Sequence, residues 1–145
     1  MNEHDDYTLL LDTPSVETYR MLRRETGLSP KTEEAASRGL PASLFAVQVL
    51  YQGCPVGMGR VIGDGGCFYQ VTDIAVLPAH QGKGLAKRIM QAIREYLDEH
   101  APESAYVSLM ADGEAHHLYA QFGFAPTAPA SIGMAYRATG GKAAQ

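Results

Sequence analysis

The chain has 145 residues and a net charge of −4, enough for a single domain with one real hydrophobic core. No dense run of Lys and Arg is present, which argues against nucleic acid as a partner, since a phosphate backbone demands clustered cations. No stretch reaches the roughly 18 apolar residues of a membrane-spanning helix, and the acidic start Met1-Asn-Glu-His-Asp-Asp6 is unlike a signal peptide, so a cytoplasmic protein without membrane contact is expected.

In chain order, Tyr7 to Leu11 reads as a short apolar strand. Thr13-Pro14 predicts a helix entrance, with Thr as cap and Pro at the first helical position. Val16, Tyr19 and Leu22 recur at helical spacing, with Arg20, Arg23 and Arg24 on other faces, and Gly27 ends the helix. Thr32 opens a second, weaker helix that Gly39 and Pro41 close. Ser43 to Tyr51 is dense in β-formers, and Val56 to Ile62 is a glycine-bearing strand. Asp64-Gly65-Gly66 is a hairpin signal. Cys54 and Cys67 fall at the starts of the antiparallel strands before and after this turn, at opposite ends of the hairpin, so free thiols are expected.

Phe68 to Leu77 is a continuous apolar strand that meets Pro78, and Ala79-His-Gln-Gly-Lys-Gly-Leu-Ala86 is a small-residue turn. A long helix follows, with Leu85, Ile89, Ile93, Tyr96 and Leu97 in one stripe, and Pro102 stops it. Ala105 to Met110 is a strand that can run parallel to Phe68–Leu77, because a helix crosses between them. Glu114 to Phe122 is a short helix ending at Gly123, and Ile132 to Tyr136 is a last strand after the interruptions at Pro126 and Pro129. Residues 1–6 and 139–145 look frayed. The order describes one α/β domain over 1–145 with a mixed sheet.

A strand feeding a glycine turn that opens a helix can hold an anion: the first-turn N–H groups lack partners, and the macrodipole favours negative charge. Gly82 and Gly84 clear the approach to them, and Lys83, Lys87 and Arg88 surround the turn. The turn is neither a Walker loop nor a dinucleotide fingerprint, since position 87 is Lys where a third glycine would stand. By itself it equally describes a junction without a ligand.

Two segments at this spacing carry more. Gln81-Gly-Lys-Gly-Leu-Ala86 fits the pattern Gln/Arg-x-x-Gly-x-Gly/Ala after the strand ending Asp73-Ile-Ala-Val-Leu-Pro78, and downstream lies Ala115-His-His-Leu-Tyr-Ala-Gln-Phe-Gly-Phe124. Together they resemble the GNAT superfamily of acyl-CoA-dependent N-acetyltransferases, from about Val56 to Phe124. The resemblance implies a mostly antiparallel mixed sheet of six to seven strands with about four helices, splayed open at a central parallel pair. It implies acetyl-CoA as co-substrate, with pantetheine along Ile74, Ala75 and Val76 and the pyrophosphate on Gly82, Gly84, Leu85 and Ala86, flanked by Gln81 and Lys83.

Tyr119 falls on the family's tyrosine, the general acid that protonates the leaving thiolate beside the bound cofactor. The family's base position corresponds to Gln70, which cannot take a proton, and Asp73 is the nearest carboxylate, better suited to a structural role than to catalysis. Asp112 stands where the family often has Asn, so it keeps an acceptor and lacks the amide donor. His116 and His117, adjacent on a helix, do not share a face, so no metal is expected. The acceptor pocket is expected from Leu28 to Thr32, the second helix, Phe68, Tyr69 and the tail near Met134 and Tyr136, with Glu33, Glu34 and Asp73 available to an ammonium. These readings predict acetyl transfer to a small amine or amino-acid-like acceptor. The alternatives are a protein N-terminal or lysine acetyltransferase, and a non-catalytic acyl-CoA-binding sensor. A homodimer is compatible with the family.

Overall fold

In the computed structural model, which describes residues 6–141, one five-stranded sheet runs in the order β1-β2-β3-β4-β5. Its strands are β1 (Tyr7–Leu10), β2 (Phe45–Tyr51), β3 (Cys54–Gly63), β4 (Phe68–Val76) and β5 (Tyr106–Ser108). The first four pair antiparallel, and β4 with β5 is parallel. Four α-helices cover it: α1 (Val16–Glu25), α2 (Glu33–Gly39), α3 (Leu85–His100) and α4 (His116–Ala120).

The two faces bury separate clusters. On one, α3 sets Leu85, Ile89, Met90, Ile93 and Leu97 against Val47, Val49, Val61, Tyr69 and Val71. Ile89, Met90 and Ile93 are fully buried, each contributing about 1.5–3 kcal/mol. Tyr96 extends the expected stripe by stacking on Phe45, with ring centroids 4.7 Å apart. On the other face, Tyr19 and Leu22 of α1, with Ala36 and Leu40, pack over Met58 and Ala75.

Glycine in β3 answers a steric demand. A Cβ on Gly59 would stand 2.6 Å from Ile89 Cγ2 and 2.8 Å from Ile74 Cδ1, so a side chain there would push α3 off the sheet. The hairpin after β3 is held by Asp64, whose Oδ1 accepts from the backbone N–H groups of Gly66, Cys67 and Phe68 at 2.8–3.0 Å. These bonds hold its carboxyl below the usual carboxylate range. Cys54 and Cys67 are free and exposed.

Three sequence expectations are corrected. Five strands form, not six to seven: Ile132 to Tyr136 makes no ladder among the described residues and is 72–93% exposed at Ile132, Met134 and Tyr136. Pro126 and Pro129 break the approach to any edge, and β5 offers only three paired residues. The cap of α1 is Ser15, whose Oγ accepts from Thr18 N–H at 3.1 Å, and not Thr13. Arg23 is buried beside Tyr19, four residues earlier on the inward face of α1, instead of lying on a solvent face. The fraying expected at 1–6 and 139–145 falls mostly outside the described residues.

Candidate active site

The parallel pair holds for only three residues: Phe68 faces Tyr106, Tyr69 faces Val107 and Gln70 faces Ser108. Beyond Gln70 the two strands part, and Leu109, Met110 and Asp112 stand across a cleft of about 730 Å³ from Gln70, Val71, Thr72, Asp73 and Ile74. The far half of β4 thus has an open edge. Leu77 N–H donates to the Val56 carbonyl on the β3 side (2.9 Å), so Val76, one residue earlier in extended chain, turns its N–H and carbonyl toward the opening. Gln81 Nε2 donates to that Val76 carbonyl at 3.0 Å. Ile74, two residues earlier, presents its backbone the same way.

A bulge re-aims the strand. Arg60 pairs Thr72 and Met58 pairs Ala75, so Gly59 alone faces both Asp73 and Ile74. Asp73 adopts φ +63°. Before the bulge, Tyr69 and Val71 point at α3; at the bulge, Asp73 turns to the α1 face and Ile74 to α3. Period-two reading of the strand would give Asp73 the opposite face.

Asp73 sits in a buried polar cluster. Its Oδ2 accepts from Tyr19 Oη at 3.0 Å and Arg60 Nη1 at 3.3 Å, and its Oδ1 pairs with Arg23 Nη1. Arg23 also donates from Nε to the Ser29 carbonyl (2.8 Å) and from Nη2 to Ser29 Oγ (2.9 Å). It therefore clamps the loop after α1 onto the bulge. Burial, then the charge of Asp73, pushes the Tyr19 phenol above its usual range. With three donors on about four lone-pair sites, Asp73 has little left for an incoming ammonium. The sequence reading singled out Asp73 and missed Tyr19, Arg23 and Arg60. The available signal was an arginine four residues from a tyrosine on the apolar stripe of α1.

After β4 the chain turns through Gly82 (φ +79°) and Gly84 (φ +76°) with no atom within 4 Å of a Cβ built on either. Gly84 is the left-handed N-cap of α3, and the first helical bond runs from Arg88 N–H to its carbonyl (3.1 Å). The N–H groups of Leu85, Ala86 and Lys87 precede that bond and have no helical partner. Leu85 is buried and Ala86 half-buried, so neither sets a long side chain over these N–H groups. An open cradle of N–H groups leading from an open strand edge fits a diphosphate joined to an extended amide chain, as in acetyl-CoA. Lys83 lies half-buried within the turn.

The family model for the Acetyltransferase (GNAT) family matches residues 10–124. The chain belongs to the GNAT acetyltransferase family. Among solved structures it is similar to a probable acetyltransferase of unknown function from meticillin-resistant Staphylococcus aureus, with 47% identity, TM-score 0.87, and 91% of this chain and 99% of that one covered. A GNAT family acetyltransferase from Streptococcus pneumoniae TIGR4 is 25% identical with TM-score 0.73, covering 92% and 98%. Glucosamine-6-phosphate N-acetyltransferase from Arabidopsis thaliana aligns over 90% and 98% at TM-score 0.64; at 15% identity this shows the fold alone. No curated protein sequence matches.

In this GNAT domain Tyr119, on α4, is buried and borders the β4 cleft. It also borders an adjoining cleft of about 640 Å³ formed by β5, α4 and the tail. Burial, and secondarily the charge of Asp112, pushes its phenol above the usual range. Of the expected acceptor-pocket residues, Leu28, Ser29, Lys31 and Asp73 line the β4 cleft together with Gln70. Phe68, Tyr69 and Met134 lie elsewhere. Phe68 is exposed at the start of β4 against Tyr106, Tyr69 is buried under α3, and Met134 is 85% exposed on the tail. Alternation along β4 sends Tyr69 to the helix side, opposite Gln70, which is why it packs under α3 and not in the expected pocket. Glu33 and Glu34 are exposed, and Glu34 pairs with Arg38 at 2.7 Å. His116 and His117 depart from expectation, with ring centroids 4.1 Å apart at the junction into α4. Their ligand atoms and the Glu114 carboxylate lie within 4.8 Å of one another, all three exposed.

Proposed function

We propose that this GNAT domain transfers an acetyl group from acetyl-CoA to a primary amine, the acceptor being a small amine or amino-acid-like molecule. The observation that carries this reading is the parting of β4 from β5 after Gln70. It leaves a strand edge open on a cleft that Tyr119 also borders, and the Gly82–Gly84 turn follows that strand in the chain.

When bound, acetyl-CoA supplies an activated carbonyl carbon on a thiol leaving group. The backbone N–H groups of Ile74 and Val76 lie along the edge where the thioester would run. Fixed backbone donors there stabilise the carbonyl oxygen as it gains charge, without reorganisation. In the net step the amine nitrogen bonds the carbonyl carbon, the carbon–sulfur bond breaks, the amine gives up one proton and the sulfur takes one. Tyr119 is the group suited to deliver that proton: burial raises its phenol pKa and so favours the protonated form, and it borders the same cleft as the open half of β4. Gln70 on the same wall accepts no proton. The acceptor arrives neutral, or gives its proton to water or to Asp112, the carboxylate of that cleft not already matched by arginines.

Thiol release from acetyl-CoA across amines, amino acids, polyamines and peptides tests the reading. Acetyl-CoA raising Tm together with amine-dependent release supports it. Binding with no release for any class would instead indicate an acyl-CoA sensor, and no binding would defeat both.

A further inference from the structure

The β4 cleft, where acceptor and thioester would meet, carries charge opposite to that of the chain. Its lining carries Arg23, Lys31 and Arg137 against two carboxylates, Asp73 and Asp112. Asp73 is already matched by two guanidiniums, Arg23 and Arg60, so the buried cluster carries net positive charge. Arg60 Nε has no hydrogen-bond partner, and the two guanidiniums face the Tyr19 ring at 5.5–5.8 Å from its centroid instead of a second carboxylate. At the rim, Lys31 and Arg137 are exposed and make no ion pair with another described residue. Glu33 and Glu34, the acidic residues nearest in sequence, do not line the cleft. A cationic cleft on a chain of net charge −4 repels a polyamine and focuses anions.

We propose, resting on the acetyl-transfer reading, that the acceptor amine carries its own anionic group, a carboxylate or a phosphate, held at the cleft rim by Lys31 and Arg137. Arg23 and Arg60 supply positive potential from beneath. That potential disfavours a second cation in the cleft, so it also favours the neutral form of the acceptor nitrogen. In this way the fixed charges assist the step for which Gln70 offers no base.

The test compares matched acceptors by thiol release: amino acids against their amides, and 2-aminoethyl phosphate against ethanolamine, each at equal concentration of neutral amine. The expected preference for the anion-bearing member is roughly tenfold or more in kcat/KM, the value of one or two charge-assisted bonds. Whichever pair shows it separates carboxylate from phosphate. A Lys31→Gln, Arg137→Gln double variant should raise the KM of the preferred acceptor by a similar factor, with a much smaller change in kcat and in the KM of acetyl-CoA. A second readout needs no turnover. With coenzyme A saturating, so that the glycine turn is occupied, millimolar inorganic phosphate should raise the Tm of the wild type and not that of the double variant. Equal turnover of amides and amino acids and of both ethanolamine compounds, or preferred turnover of polyamines, overturns the inference and leaves the transferase reading standing. No thiol release with any amine overturns the transferase reading, and the phosphate arm then decides the anion site alone.

Discussion

Arg23 and Asp73, fifty positions apart in the chain, meet as a buried ion pair that locks helix α1 to the bulge of β4. The pair has a second cation in Arg60 and a hydroxyl donor in Tyr19. Removing the shared anion leaves two guanidiniums facing each other out of water. Asp73→Asn should therefore cost about 3–5 kcal/mol of folding stability, seen as a lower midpoint in urea. A fully stable Asp73→Asn protein devoid of turnover would contradict this and make Asp73 a catalytic group.

The approach of α3 to the sheet depends on Gly59. Valine there meets Ile89 and Ile74 at less than contact distance, and overpacking of this kind costs about 1–3 kcal/mol. Gly59→Val is expected to lower the urea midpoint by that amount. Because Gly59 also faces the bulge, turnover should fall further than stability alone explains, checked on protein shown to be folded by circular dichroism.

Gly84→Asp puts a carboxylate where the proposed diphosphate would lie. The affinity for acetyl-CoA should fall at least about tenfold, or roughly 1.4 kcal/mol, measured by calorimetry. Gly84→Asn serves as the control, since it shares the left-handed backbone demand at φ +76° without the charge. Equal affinities in the two variants would show that conformation, not charge, governs the turn.

Tyr119→Phe should lower kcat by about 10²–10⁴-fold and leave acetyl-CoA binding near wild type. The pH profile gives an independent check. The phenol is pushed above its ordinary value near pH 10, and only its protonated form can donate. Turnover should therefore rise as the acceptor amine loses its proton and decline only above the ordinary tyrosine range. The Phe variant should lack that alkaline decline.

What the sequence by itself determined is local. Asp64-Gly65-Gly66 specified a hairpin through short-range bonds to one carboxylate. The spacing of Leu85, Ile89, Ile93 and Leu97 specified the buried face of α3, and the glycines after an apolar strand specified an N–H cradle. The placement of Tyr119 and Gly123-Phe124 downstream named the family. Each rests on neighbours within a few residues or on a repeat of fixed period.

What only the tertiary structure decided depends on partners far apart in the chain. Arg23 reads as one solvent arginine among three until Asp73 arrives from β4 to match its charge. Asp73 itself changes face because Gly59, on a different strand, pairs against two residues instead of one. Ile132 to Tyr136 has the composition of a strand, yet strand formation needs an edge to bond, and the tail after Pro126 and Pro129 makes none. The sign of the charge around the β4 cleft follows the same logic. It is set by Arg23, Arg60, Lys31 and Arg137, which the fold gathers from four separate segments, while the whole chain remains acidic.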